Sequence, residues 1–421
     1  MPASFRCSLP GSKPSPEILT MAKPLRILGL RLAEVWRRWR GYETTPTLVV
    51  SDKHIGTTMW QTALLRSIGV DAEARTLSKH AQYAADDSVG RDAFFLRLAE
   101  WPAHQVQAEF STQTGLRKLS YALCSFPPSR IEDLAKLPAK VRLILNVGHR
   151  IHIDVAASRL EEITAAVRAM ASDPRYVLAT MSEYDYHYTK YYTGVELRRL
   201  PVVCAHLAPA LLDGPYAPKN RTVLIGPSHN IDTIIGFDND LAALNRLSAE
   251  YAARHGFEPY IFEFIKKVYP GNTASPENLA RHPAVLMNPY SAFSISMVEL
   301  YQMNIPFFVP ADELLVDRMG DVRLCPLYQK QEAVDELERN HPVSATGYDF
   351  SPNDSSPDAQ RAWLKHMYFN HVEHAQRWST PEDLFSKLYK ADLAALHGRM
   401  KVENHRLFVA QAREWMMLGL A

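Results

Sequence analysis

No stretch of about eighteen consecutive apolar residues occurs in this 421-residue chain, so no membrane-spanning helix is encoded. An excess of one charge sign is equally lacking: 47 basic against 46 acidic side chains leave a net charge of +1. Nucleic-acid binders carry a basic excess or stripe, so nucleic acid is excluded as an expected partner. The four cysteines, Cys7, Cys124, Cys204 and Cys325, are scattered without a C-x-x-C pair. Cys124 and Cys204 lie in apolar runs, where buried free thiols are expected rather than a disulfide frame. No G-x-G-x-x-G follows the first strand of either half, which counts against a dinucleotide-dependent oxidoreductase. What is present is ordinary for a soluble globular enzyme of two domains: 47 % hydrophobic and 22 % charged residues. A soluble cytoplasmic or organellar protein is expected.

Residues 1–46 differ from the rest, with eight Lys or Arg against three Glu. Positions 25–39 fit a basic amphipathic helix, read either as a targeting or peripheral membrane segment or as an extension trailing from the first domain. From residue 47 short apolar or β-branched runs alternate with helical stretches. Strands are expected at 47–51, 72–77, 121–126, 141–147, 176–180 and 202–205. Helices between them fall at 57–68, 92–100, 129–137, 158–171 and 185–193. After a turn-rich linker the pattern restarts, with strands at 222–225, 259–264, 284–287 and 306–309. Its helices fall at 240–255, 276–280, 296–303 and 312–319. Continuous apolar strands separated by helices argue for parallel sheets covered on both faces. The expected fold is α/β, two Rossmann-like domains facing a central cleft, with C-terminal helices. Its divisions are a basic extension at 1–46, an acceptor domain at 47–215, a donor domain at 216–340, and a loop with helical segments at 341–421.

The most informative segment is 282–315. It places Ser294, Ser296 and Glu299 between the end of a buried strand and the first turns of a helix. In open α/β sheets that is where phosphorylated ligands bind, because a helix start offers unpaired N–H groups and a favourable dipole. Glu299, one turn in, suits the hydrogen-bond donors of a ribose diol. Ser296-x-x-Glu299 also reads as a capping box, which requires no ligand.

This segment resembles the nucleotide-sugar motif of glycosyltransferases with the two-domain GT-B fold. There a small polar loop and serine precede a glutamate, then come a helix, a Gly-Val-Pro-like tripeptide opening a strand, and an acidic residue. Ser296, Glu299, Asn304-Ile305-Pro306 and Asp312-Glu313 follow that order at similar spacing. The resemblance implies that Ser296 binds phosphate, Glu299 the ribose, and Asp312 or Glu313 the sugar hydroxyls. Ser291 stands near the position of the histidine that opens the plant-type signature, and the Glu-x7-Glu pair of many retaining enzymes is incomplete there. An inverting reaction is the favoured expectation.

Three further loops carry candidate chemistry. His54, after the first strand, resembles the histidine of inverting GT-B enzymes that deprotonates the acceptor hydroxyl. Imidazole suits that task because its pKa lies near working pH. Asp52 is the competing base, or else caps the turn, and Gly56 allows close backbone approach at the helix start. After the first strand of the second half, Gly226, Ser228, His229 and Asn230 sit where GT-B enzymes bring N–H groups against the diphosphate. His229 also loosely resembles a loop residue of nucleotide-sugar 2-epimerases. After the fourth strand of the first half, Gly148, His149 and Arg150 reach the cleft edge, with Arg150 suited to a phosphate or acidic acceptor. Glu183 is a further acceptor contact, whereas Asp185 reads best as a helix N-cap.

No metal site is expected. His149, His152 and Asp154 match no strong ligand spacing, and Asp238-Asn239-Asp240 directly precedes a helix it can cap. The aromatic run from Tyr184 to Tyr192 reads first as rings packing on the sheet and second as a sugar-stacking surface. The resemblance therefore implies a metal-independent glycosyltransferase with no cofactor other than its co-substrate, a nucleotide-diphospho-sugar. The acceptor, whether glycan, protein or small molecule, is unspecified. The alternatives are a nucleotide-sugar 2-epimerase or hydrolase on the same fold, or a non-catalytic sugar- or nucleotide-binding protein.

Overall fold

The computed structural model describes residues 47–52, 55–76, 90–91, 101–112, 119–124, 131–148, 150–153, 155–200, 202–207, 212–226, 234, 237, 240–270, 274–287, 289, 291–318 and 331–418. The first sheet contains β1 (Thr47–Asp52), β2 (Asp71–Thr76), β3 (Gly90–Arg91), β4 (Leu119–Cys124), β5 (Arg142–Val147), β6 (Tyr176–Thr180) and β7 (Arg198–Arg199). Their order is β3-β2-β1-β4-β5-β6-β7 and every pairing is parallel. The second sheet contains β8 (Thr222–Gly226), β9 (Ile261–Phe264), β10 (Val285–Met287), β11 (Phe307–Pro310) and β12 (Gln376–Trp378). It runs β12-β11-β10-β8-β9, again all parallel. The expected α/β organisation of two Rossmann-like halves is present.

The strands owe their places to continuous apolar runs. Residues 143–147 of β5 and 223–226 of β8 are buried throughout, as sheets covered on both faces require. Each sheet reverses its order once. The chain leaves β1 for β2 and β3, then returns to place β4 on the other side of β1, with Ser51 opposite Cys124. In the second sheet it leaves β8 for β9, then returns to place β10 beside β8, with Met287 opposite Gly226. Such reversals open a crevice beyond the carboxyl ends of the strands, where ligands bind. One apolar cluster runs through both halves, from Leu48 and Val50 to Met297, Val298 and Tyr301. A second, including Val223, Phe262, Trp378 and Phe385, covers the far face of the second sheet.

Segment 202–205, expected as a strand, is not one. Val202, Val203 and Cys204 are buried, but Gln302 takes the place of a strand ladder. Its Nε2 donates to the Val202 carbonyl at 2.9 Å and its Oε1 accepts from the Cys204 N–H at 2.5 Å. The edge strand is β7 instead. The expected C-terminal run of loop and helices contains β12, which completes the second sheet beside β11. The expected helix at 92–100 and the extension at 1–46 lie outside the described residues.

The chain also crosses back. The helix Gln331–Asn340 and the segment that follows it lie between β11 and β12 in sequence, yet they dock on the first half. Tyr191 Oη donates to Glu338 Oε2 at 3.3 Å, and Tyr192 Oη donates to the other carboxylate oxygen. Asn353 Nδ2 donates to Glu338 Oε1 at 2.9 Å, and His341 Nε2 lies 3.0 Å from Glu161 Oε1. The long helix Leu393–Met417 spans both halves: His397 meets the Asn304 carbonyl at 2.8 Å, and Arg198 meets Glu414 at 3.4 Å.

Candidate active site at the seam between the halves

Because Gly226 and Met287 are paired, the loops that leave β8 and β10 start side by side at the reversal of the second sheet. The β10 loop leads into the helix Ile295–Gln302. The capping-box expectation fails here. The N-cap is Ser294, not Ser296, so the helix begins two residues earlier than the motif requires and its N-cap side chain makes no capping bond. Ser296 falls in the first turn and is exposed, whereas Ser294 is buried. Glu299, freed from a capping role, turns toward the first half, where its Oε1 lies 3.3 Å from His206 Nε2. His206 Nδ1 is buried without a hydrogen-bond partner among the described residues.

His206 carries no motif, and the sequence reading missed it. Its placement follows from Gln302, three residues beyond Glu299 on the helix and therefore on a neighbouring part of its surface. By clamping 202–204, the Gln302 amide sets His206 against Glu299. A glutamine among the apolar residues of this helix was the available signal, since a buried amide needs partners.

The helix after β1, Ile55–Ser67, brings its first turn to the same seam. A Cβ added to Gly56 would lie 3.6 Å from Ile295 Cγ2 and 4.0 Å from Glu299 Oε1. Asp52 ends β1 and is buried. His54 lies outside the described residues, as do Ser228, His229, Asn230 and His149. Gly226 is described and closely packed: a Cβ there would lie 2.5 Å from Ile265 Cδ1.

After the helix, Asn304 adopts φ 61°, the left-handed conformation that asparagine tolerates at a helix end. Its Nδ2 donates to the Leu212 carbonyl at 2.9 Å, fixing the turn that feeds β11 through Pro306. Asp312 follows β11, and its Oδ1 accepts from Asn370 Nδ2 at 3.2 Å and lies 3.7 Å from Arg377. Glu313 is exposed.

The remaining first-half candidates divide into two groups. Arg150 is buried beside Asp185 and Tyr188, and Gly148 is buried at the end of β5. Asp185 is not an N-cap. Ser182 is, and its Oγ accepts from the Asp185 N–H at 3.1 Å while also bonding the carboxylate. Burial pushes the Asp185 carboxyl up to about 6, against the opposing pull of Ser182 and Arg150. Glu183 instead faces outward, 2.9 Å from Arg199 Nε and 3.7 Å from His187 Nε2.

His152 is a core residue, bonded to Tyr188 Oη at 3.1 Å and Thr164 Oγ1 at 2.8 Å, and burial pushes it down to about 3. Among the described residues no group of three or more His, Cys, Asp or Glu is arranged to hold a metal. The tyrosines pack rather than present a surface: Tyr184, Tyr188, Tyr191 and Tyr192 are all buried. Asp240 caps the helix Leu241–His255 through the Ala243 N–H at 2.9 Å, and Asp238 and Asn239 lie outside the described residues. Cys204 is a buried free thiol. No described helix is long and apolar enough to cross a membrane.

No protein-family model matches this chain, and no curated protein matches it. Two solved structures align with it at low similarity. The crystal structure of LpCGTa in complex with UDP aligns with a TM-score of 0.43 at 12 % identity, covering 88 % of this chain and 99 % of that one. The structure of the glycotransferase of kitacinnamycin aligns with a TM-score of 0.39 at 11 % identity, covering 87 % and 95 % respectively.

Proposed function

We propose that this chain is a metal-independent, inverting glycosyltransferase acting on a nucleotide-diphospho-sugar. The observation that carries the reading is the reversal of the second sheet between Gly226 and Met287, with the Glu299 helix leaving that crevice to meet the first half. The diphosphate sits at the start of the Ile295–Gln302 helix, where Ser296 is exposed and N–H groups and dipole favour an anion. Glu299, held from one side by His206, accepts from the ribose diol. Asp312 or Glu313 receives the sugar hydroxyls, and Ser228, His229 and Asn230 bind the donor at its phosphates.

The acceptor enters from the first half, past Gly56. Its hydroxyl oxygen attacks the anomeric carbon as the bond from that carbon to the diphosphate breaks. The proton passes to His54, with Asp52 the competing base, and the leaving nucleoside diphosphate keeps the electron pair. Helix dipole and N–H groups stabilise its charge in place of a metal ion. Exclusion of water by the two halves protects the donor from hydrolysis.

The first test is a thermal-shift screen of UDP, GDP, CMP, ADP and their sugars, in which the true donor raises the midpoint. The second is turnover. His54→Ala should slow transfer by about 100- to 10,000-fold, the usual contribution of a general base. Wild-type transfer rates in both His54→Ala and Glu299→Ala would overturn the reading. Following the donor alone by NMR separates transfer, which needs an acceptor, from epimerisation or hydrolysis.

A further inference from the structure

Beyond the reversal between β8 and β10, the second sheet continues to β11, whose Phe307 and Phe308 pair with Val285 and Leu286. Two acidic residues follow that strand, and their surroundings differ. Glu313 is exposed, and no hydrogen bond or ion pair holds its carboxylate among the described residues. Asp312 is held through one oxygen only. Its Oδ1 accepts from Asn370 Nδ2 at 3.2 Å and lies 3.7 Å from Arg377 Nη1. Its Oδ2 carries no hydrogen bond among the described residues, and the side chain is 39 % exposed, enough to meet a ligand.

Asn370 closes the short turn Tyr368–Asn370, and its amide is fully engaged. Nδ2 donates to Asp312 and to the Leu364 carbonyl at 2.6 Å, while Oδ1 accepts from Arg377. Turning the amide over would set oxygen against oxygen and N–H against guanidinium, so its donor stays aimed at Asp312. Arg377 is fixed in its turn by the Phe369 carbonyl at 2.6 Å and the Pro310 carbonyl at 3.3 Å.

The turn is braced from both halves. His366, just before it, stacks on His187 of the first half, with ring centroids 3.7 Å apart at an interplanar angle of 29°. Tyr368 N–H donates to the Ala292 carbonyl at 3.0 Å, and the Tyr368 ring meets Phe293 edge-on at 5.6 Å. Ala292 and Phe293 lead directly into Ser294, the N-cap of the Ile295–Gln302 helix. One turn of chain thus touches the loop at the proposed phosphate end and the carboxylate at the proposed sugar end.

We propose that Asn370 is a positioning residue for the sugar of the donor: it holds Asp312 Oδ1, so that Oδ2 meets a sugar hydroxyl in one orientation. The proposal rests on the transferase reading and deepens it by selecting Asp312 over Glu313. A carboxylate already held loses little freedom when the sugar binds. A free one must be immobilised at that moment, which costs about two- to tenfold in affinity.

The experiment is calorimetry on the full chain with three pairs of ligands: UDP and UDP-glucose, GDP and GDP-mannose, ADP and ADP-glucose. Within the pair that binds, the ratio of the two affinities isolates the sugar. Asp312→Ala should lower the contribution of the sugar by about tenfold, as loss of a hydrogen bond to a charged group does. Asn370→Ala should lower it by about two- to tenfold. The double variant should lose no more than Asp312→Ala alone, because Asn370 acts through that carboxylate. Asn370→Asp guards against a folding failure: it has the same size and keeps the acceptor for Arg377, but it turns an oxygen toward Asp312. Its loss should be at least as large as that of Asn370→Ala. Affinity for the nucleoside diphosphate alone should stay within about twofold of wild type in every variant. An unchanged ratio in both Asn370 variants, equal weakening of nucleotide and nucleotide-sugar, or additive losses in the double variant would overturn the proposal. In each of those cases the nucleotide still binds and the transferase reading stands. Binding of none of the six ligands would overturn the transferase reading, and the proposal with it.

Discussion

The two halves touch in two contrasting ways. Along the helices Leu160–Ala171 and Glu183–Thr193 many side-chain contacts cross: Glu338 takes Tyr191, Tyr192 and Asn353, His341 takes Glu161, and Trp363 packs on Tyr184 at 5.5 Å. Around Glu299 the contact is sparse: a glycine, a histidine with a buried unpartnered nitrogen, and an exposed serine. The first contact ties the halves together by many side-chain bonds, and the second is where the proposed donor site lies.

That contrast can be broken from either side. The largest effect is expected from Trp363→Ala, which removes a ring only 3 % exposed. Urea unfolding should show a loss of about 3–5 kcal/mol, the range for truncating a buried aromatic. Glu338→Ala removes the acceptor shared by Tyr191, Tyr192 and Asn353, which keep only the His341 carbonyl and the Asn353–Tyr192 bond, and should cost about 1–3 kcal/mol by the same measurement. Neither should alter the nucleotide preference found by thermal shift.

Glu299→Ala should do the reverse. Stability should change by less than about 0.5 kcal/mol, because the His206 contact is partly exposed and weakly worth its pairing. Affinity for the nucleotide-sugar should fall by about tenfold, read by calorimetry. Gly56→Ala is the smallest. Its new methyl meets Ile295 at ordinary contact distance, so stability should hold or rise by about 0.5 kcal/mol while turnover falls.

Acid sharpens the comparison further. His152 is buried behind the first contact, against Tyr188 and Thr164, and its folded pKa of about 3 lies below the unfolded value near 6.5. A depressed value contributes stability above pH about 6.5 that is lost as pH falls toward 3. Asp185 has the opposite sign. Its folded value of about 6 lies above the unfolded value near 3.9, so its contribution is lost as pH rises through that window. His152→Gln should therefore flatten the acid limb of stability against pH, and Asp185→Asn should steepen it. An unchanged profile in both would show that neither group titrates with folding.

Much of the fold was legible because its strands are apolar runs: β6 falls at 176–180 as expected, and β8 extends only one residue beyond expectation. The failures have local causes. Segment 202–205 has strand composition but is buried by a side-chain amide. β12, with Gln376 and Arg377 before Trp378, has too little apolar character to register as a strand. Ser294 and Ser296 offered two helix starts, and the earlier one prevailed. Asp185 lost the N-cap to Ser182 because a serine three residues before an aspartate caps as well as the aspartate itself. Glu299 and Asp312 are singled out by spacing along the chain. His206, and the pairing of His187 with His366, are not, because their partners lie far away in sequence.

The return of residues 331–364 over the first half carries a consequence in time. The tyrosine-bearing helix Glu183–Thr193 is made well before Glu338, Asn353 and Trp363, which cover it. At about 5–20 residues per second of synthesis, that face waits on the order of ten seconds for its cover. Until then a nascent first half displays tyrosines and a buried-type aspartate to water, a natural point for chaperone capture. A chain cut before residue 331 would be expected to keep that exposed face permanently and to aggregate.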